Sequence, residues 1–208
     1  MIKVSTSILT CNNRIQATEE LNKTNTDYIH IDYMDGIFVD NKEFTIEEIK
    51  TLSKISEKKL DVHIMAEDPE LIINKLKNLN IEYITIHYEI NKPLDKIIKI
   101  IHNQGYKCGI SIKPKTKPKS ITKYLEKIDL VLIMSVEPGK GGQKFIPNTI
   151  NKIKELKKIK SNSIILEVDG GINDTNIKKL KNIVDIVVVG SYITKSIDYN
   201  KQINNLKN

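Results

Sequence analysis

Three short runs of the chain carry residue types able to hold a metal ion and to move protons: His30-Ile31-Asp32-Tyr33-Met34-Asp35-Gly36, Asp61-Val62-His63-Ile64-Met65 and Glu167-Val168-Asp169-Gly170-Gly171. Each opens on β-branched or apolar residues and reads as a strand ending in a metal-capable side chain. Residues two apart on a strand point to one side, so His30, Asp32 and Met34 share a face, as do His63 and Met65 on their own run. Together His30, Asp32, His63 and Asp169 form a ligand set that suits one divalent ion, Zn, Fe, Mn or Co. The carboxylates of Asp32 and Asp169 also suit proton transfer. A lone strand-end Asp is as readily a helix cap, and a lone His as readily a surface group. Four such residues at equivalent places in a repeat are harder to explain that way.

Anion-binding chemistry has a separate signature. Glycines stand at Gly139, Gly141 and Gly142, with Lys140 between them, then at Gly170-Gly171 and at Gly190-Ser191, each group following a strand-like run. Glycine lets backbone N–H groups approach an anion closely. Because Arg14 is the sole arginine, backbone amides are the better candidates for a phosphate receptor than a guanidinium fork. Met34, Met65 and Met134 also stand at strand ends beside these residues. A thioether is an adaptable core filler; here it equally suits an apolar site lining that keeps water from a charged intermediate.

The elements that must position these groups follow one rhythm. Strand-like runs fall at Val4–Leu9, Tyr28–Asp32, Leu60–Ile64, Tyr83–His87, Lys107–Ile112, Leu130–Met134, Ile164–Val168 and Ile186–Val189. Helical patterns separate them, with apolar residues three and four apart, as at Ile150, Ile153 and Leu156. Eight alternating units predict a parallel sheet closed into a (β/α)8 TIM barrel, a single domain over residues 1–208. A doubly wound open sheet is the structural alternative, but it needs no eighth unit. In a barrel, strand ends share one mouth, which would bring the four candidate ligands together.

Composition narrows the partners. The net charge is +7, yet the lysines are spread over amphipathic segments rather than clustered, which argues against nucleic acid. No apolar run is long enough to span a membrane. Cys11 and Cys108 lie too far apart for a disulfide framework, and the N-terminus lacks a signal-peptide profile. A cytoplasmic location is the expectation.

The chain resembles the ribulose-phosphate 3-epimerases. The resemblance runs through Ser7-Ile8-Leu9, His30 to Gly36 with Phe38-Val39 and Asn41, Asp61 to Met65 with Glu67-Asp68-Pro69, and Ile84 to Glu89. It continues through Met134-Ser135-Val136, Pro138-Gly139, Gly141 to Pro147, Glu167 to Ile172 and Val189-Gly190-Ser191. It implies metal-dependent interconversion of ribulose 5-phosphate and xylulose 5-phosphate through a cis-enediolate, in the pentose phosphate pathway. His30, Asp32, His63 and Asp169 would be the metal ligands, and Asp32 and Asp169 the acid–base pair. Ser7, His63, Gly139, Lys140, Gly141, Gly142, Gly170, Gly171, Gly190 and Ser191 would contact the substrate. Homo-oligomerisation is left open.

Ile37, Asp40, Lys113, Glu137 and Lys140 depart from the family pattern, which keeps a related ketose phosphate such as allulose 6-phosphate in view. A non-catalytic sugar-phosphate-binding barrel is the non-enzyme alternative, but no ligand or carboxylate is missing. Orotidine-type decarboxylases need Asp-x-Lys-x-x-Asp where this chain reads Asp61-Val62-His63-Ile64-Met65-Ala66.

Overall fold

A computed structural model describes residues 1–208. The elements in chain order are β1 Lys3–Ser7, α1 Arg14–Asn22, β2 Tyr28–Asp35, β3 Lys42–Glu43, α2 Ile46–Ile55, β4 Lys59–Met65, α3 Pro69–Ile73, β5 Ile81–His87, α4 Leu94–Asn103 and β6 Lys107–Ile112. A 3₁₀ helix follows at Pro118–Lys127, then β7 Leu130–Met134, α5 Thr149–Ile159, β8 Ile165–Asp169, α6 Ile177–Leu180, β9 Ile186–Val189, α7 Ser191–Thr194 and α8 Tyr199–Lys207. β1 pairs in parallel with both β2 and β9, which closes the eight parallel strands into a (β/α)8 barrel.

Strand alternation divides the side chains into two populations. Those pointing outward join the helices in a cluster of 48 buried residues, dominated by Ile, Leu and Val; this shell is the main core. Those pointing inward form a lumen with a small apolar wall of Leu130, Leu132 and Met134 on β7 and Ile186 and Val188 on β9. The other lumen positions carry Ser5, His30, Asp32, Asp61, His63, Thr85, His87, Ser111 and Glu167, all buried. No helix is long and apolar enough to cross a membrane.

The fold differs from the sequence expectation in three places. β2 runs on to Asp35, so His30 and Asp32 lie within the strand rather than at its end. The extension is held by β4, through Met34 opposite Met65, and by the short antiparallel β3, whose polar sequence shows no strand alternation. The helical layer is also uneven: α3 has five residues, α6 has four, and Pro118 opens a 3₁₀ helix in place of the expected α-helix.

Candidate active site

The strand register assembles the site. Asp32 lies opposite His63, and Met34 opposite Met65, across the β2–β4 pair. Met134 lies opposite Asp169 across β7–β8. The four candidate ligands His30, Asp32, His63 and Asp169 each bring one donor atom into a cluster whose members lie within 4.8 Å of one another. His30 Nε2 stands 3.3 Å and His63 Nδ1 3.4 Å from the same oxygen, Asp32 Oδ1. The other Asp32 oxygen, Oδ2, accepts a hydrogen bond from Ser7 Oγ at 2.8 Å.

This arrangement fits a divalent cation. His30 Nε2 and His63 Nδ1 are buried and make no hydrogen bond, although such nitrogens are rarely left unpaired. The electrostatics agree. Burial alone would raise the Asp32 carboxyl, but His30 and His63 outweigh it and hold it well below the usual carboxylate range. Burial and the negative charge of Asp32 push Asp169 up to about 7. Two carboxylates facing one point in a dry lumen favour a cation between them.

Above the cluster opens a cavity lined by Asp32, Asp169, Ser7 and the three methionines Met34, Met65 and Met134. Its rim is the predicted set of glycine loops: Gly139, Lys140, Gly141 and Gly142, then Gly170 and Gly171, then Gly190 and Ser191. Gly171 shows why glycine is required. Its φ is +64°, and a Cβ there would meet Phe145 N at 2.4 Å and Gln143 O at 2.6 Å. His63 is buried beneath this cavity and is not part of its surface.

The divergent positions cluster around the mouth. Ile37 is exposed, and the neighbouring Asn41 Nδ2 donates to Gly139 O at 2.6 Å, tying the segment after β2 to the first glycine loop. Gln143 Nε2 donates to the carbonyls of Glu137 and Lys140, shaping that loop through backbone groups. Lys113 Nζ lies 4.0 Å from the Phe38 ring centre.

Other lumen residues were not assigned a role from sequence. Asp61 Oδ2 accepts from His30 Nδ1 at 2.7 Å and from Ser5 Oγ at 2.8 Å. Glu167 lies in the same buried group, held well above the usual carboxyl range by burial and by the Asp61 charge. His87 reaches His63, and burial keeps the His87 imidazolium down at about 4, so its ring is neutral near pH 7. The available signal is strand periodicity: Asp61 stands two residues before His63 on β4, and Glu167 two before Asp169 on β8.

A model of the ribulose-phosphate 3 epimerase family matches residues 3–194. The ribulose-phosphate 3-epimerase of Helicobacter pylori (strain J99 / ATCC 700824) is 39% identical over 211 residues, covering 100% of this chain and 97% of the relative. That of Bacillus subtilis (strain 168) is 34% identical over 214 residues, covering 100% and 99%. Among solved structures, 3-hexulose-6-phosphate synthase from Salmonella typhimurium aligns with a TM-score of 0.71 at 17% identity, covering 99% of this chain and 96% of that one. That likeness is one of fold alone.

Proposed function

The chain belongs to the ribulose-phosphate 3-epimerase family and is an epimerase of pentose phosphates; from that premise we propose that Asp32 and Asp169 invert the third carbon of ribulose 5-phosphate to give xylulose 5-phosphate. The observation that carries this reading is the convergence of Asp32 and Asp169, from β2 and β8, on one cluster at the floor of the cavity.

Inversion beside a ketone breaks a C–H bond on one face and remakes it on the other. One carboxylate takes the proton as the bond's electron pair moves into a cis-enediolate. The other then delivers a proton to the opposite face of the same carbon. In the direction from ribulose 5-phosphate, Asp32 is the base and Asp169 the acid. The Ser7 hydroxyl holds the Asp32 carboxylate in place through Oδ2. Met34, Met65 and Met134 keep water from the carbanionic carbon. His30, Asp32, His63 and Asp169 would hold one divalent ion per chain, which would supply Lewis-acid stabilisation of the charge developing on the ketone oxygen. The glycine rim of Gly139–Gly142, Gly170-Gly171 and Gly190-Ser191 offers backbone N–H groups to the substrate's phosphate.

The test is Asp169→Asn, followed by NMR of ribulose 5-phosphate in deuterated buffer with metal content measured alongside. Deuterium is expected to enter the third carbon while epimerisation falls about 10²–10⁴-fold, as for loss of one acid–base group. A metal-replete variant that epimerises at near wild-type rate sinks the two-carboxylate mechanism. Running allulose 6-phosphate beside the pentulose phosphate identifies the preferred sugar.

A further inference from the structure

Behind His63 lies a chain of hydrogen bonds that the proposed proton transfers do not use. His63 Nε2 and His87 Nε2 are 2.9 Å apart, so one proton lies between them. The far nitrogen, His87 Nδ1, is 3.0 Å from Glu89 Oε2. The second Glu89 oxygen, Oε1, accepts from the Lys113 N–H at 2.7 Å and from Thr116 Oγ1 at 2.5 Å. The His87 ring lies between its neighbours, its centre 4.6 Å from that of Phe38 and 4.9 Å from that of His63, both rings tilted against it.

We infer that Glu89 and His87 are positioning residues for His63: Glu89 holds the proton of His87 on Nδ1, His87 Nε2 therefore accepts from His63 Nε2–H, and the His63 lone pair is left on Nδ1, facing the metal cluster. The inference rests on the metal-site reading of the four ligands. Each link is a donor–acceptor requirement. Glu89 can only accept while ionised, and His87, Thr116 and the Lys113 amide together hold its carboxyl down at about 2 against the opposing effect of burial. With Nδ1–H committed to Glu89, a His87 ring that carries one proton has only a lone pair on Nε2. The proton of the imidazole pair must then belong to His63 Nε2. The opposite placement would put a proton on His63 Nδ1, which makes no hydrogen bond and whose nearest acceptor, Asp32 Oδ1, is 3.4 Å away. A ligand imidazole whose second nitrogen is fixed in this way is held in one tautomer and orientation.

The experiment combines ¹⁵N NMR of the histidine rings in metal-free protein with Zn²⁺ affinity from competition with a chromophoric chelator. Wild type is expected to show His63 protonated on Nε2 and His87 on Nδ1. In Glu89→Gln, the amide oxygen is retained by its two donors, Lys113 N–H and Thr116 Oγ1, which turns the NH₂ group toward His87. His87 should then move its proton to Nε2 and drive the His63 proton onto Nδ1. Zn²⁺ affinity should fall about 10–100-fold, the usual effect of losing such a partner. His102→Gln, at an exposed ring, should change neither readout. A wild-type spectrum with the proton on His63 Nδ1 overturns the inference without any variant, so a poorly folding substitution does not remove the test. Unchanged tautomers and Zn²⁺ affinity in Glu89→Gln overturn it as well. Tautomers as expected in a wild type that binds no Zn²⁺ support the relay and defeat the metal-site reading instead.

Discussion

On β4, Leu60, Val62 and Ile64 pack into the shell beneath the helices, while Asp61, His63 and Met65 alternate with them and face the lumen. β5 repeats the division, with Ile84 and Ile86 outside and Thr85 and His87 inside. Both sides are buried, yet they obey different rules. The shell asks for apolar volume, so several residues of similar size serve each position. The lumen asks for partners: a buried donor or acceptor is costly unless another group answers it. The shell therefore sets the architecture and the lumen sets the chemistry. Leu130, Leu132 and Met134 on β7 and Ile186 and Val188 on β9 give the lumen an apolar side.

Substitutions on adjacent positions test that division. The largest effect is expected for Asp61→Leu, which adds apolar volume and strips His30 Nδ1–H and Ser5 Oγ–H of their shared acceptor. Breaking a buried charged pair costs about 3–5 kcal/mol, read from urea unfolding of chelator-treated protein. A cost below about 1 kcal/mol, the level of an exposed pair, would mean that the lumen does not depend on these partners.

Ile64→Ala removes shell volume instead. It should cost about 2–5 kcal/mol through lost burial and the cavity left behind, while leaving Zn²⁺ affinity at the wild-type level. A large loss of metal binding in this variant would break the separation of the two regions.

A smaller, pH-dependent effect is expected at Glu89, whose carboxylate keeps an edge in solvent. Its folded pKa of about 2 lies below the ordinary 4.5, so the ionised form is the one that folding favours. Its contribution is complete above pH 4.5 and is lost as the pH falls toward 2. Comparing wild type with Glu89→Gln in urea across that window should show a stability gap that narrows with acid. A constant gap would show that ionisation of Glu89 contributes nothing.

The least effect belongs to Ile86→Val. The shell should absorb one lost methylene for about 0.5–1.5 kcal/mol, measured by the same unfolding curves.

Much of the barrel was legible because a strand repeats every two residues. The Leu130–Met134, Lys107–Ile112 and Ile186–Val189 runs have in the structure the boundaries expected from sequence. The second strand was cut short at Asp32, because its end carries Asp35 beside a polar segment and looks like a turn. Its continuation depends on hydrogen bonds from β3 and β4, which are remote in sequence. The 3₁₀ turn at Pro118 and the four-residue α6 were equally hidden. A helical apolar pattern gives the direction of a buried face but not how many turns the barrel leaves room for.

By itself the sequence determined which residue types lie on which side of each strand, because the chirality and pleat of the backbone impose that alternation locally. It thereby set His30, Asp32, His63 and Asp169 as a candidate cluster and the glycine runs as a candidate anion rim. Only the tertiary structure decided the register that places His63 opposite Asp32, that gives Asp61 to His30, and that sets His87 between Phe38 and His63. These contacts depend on barrel closure. Which nitrogen of an imidazole is left free is a property of its neighbours across strands, and no local pattern encodes it.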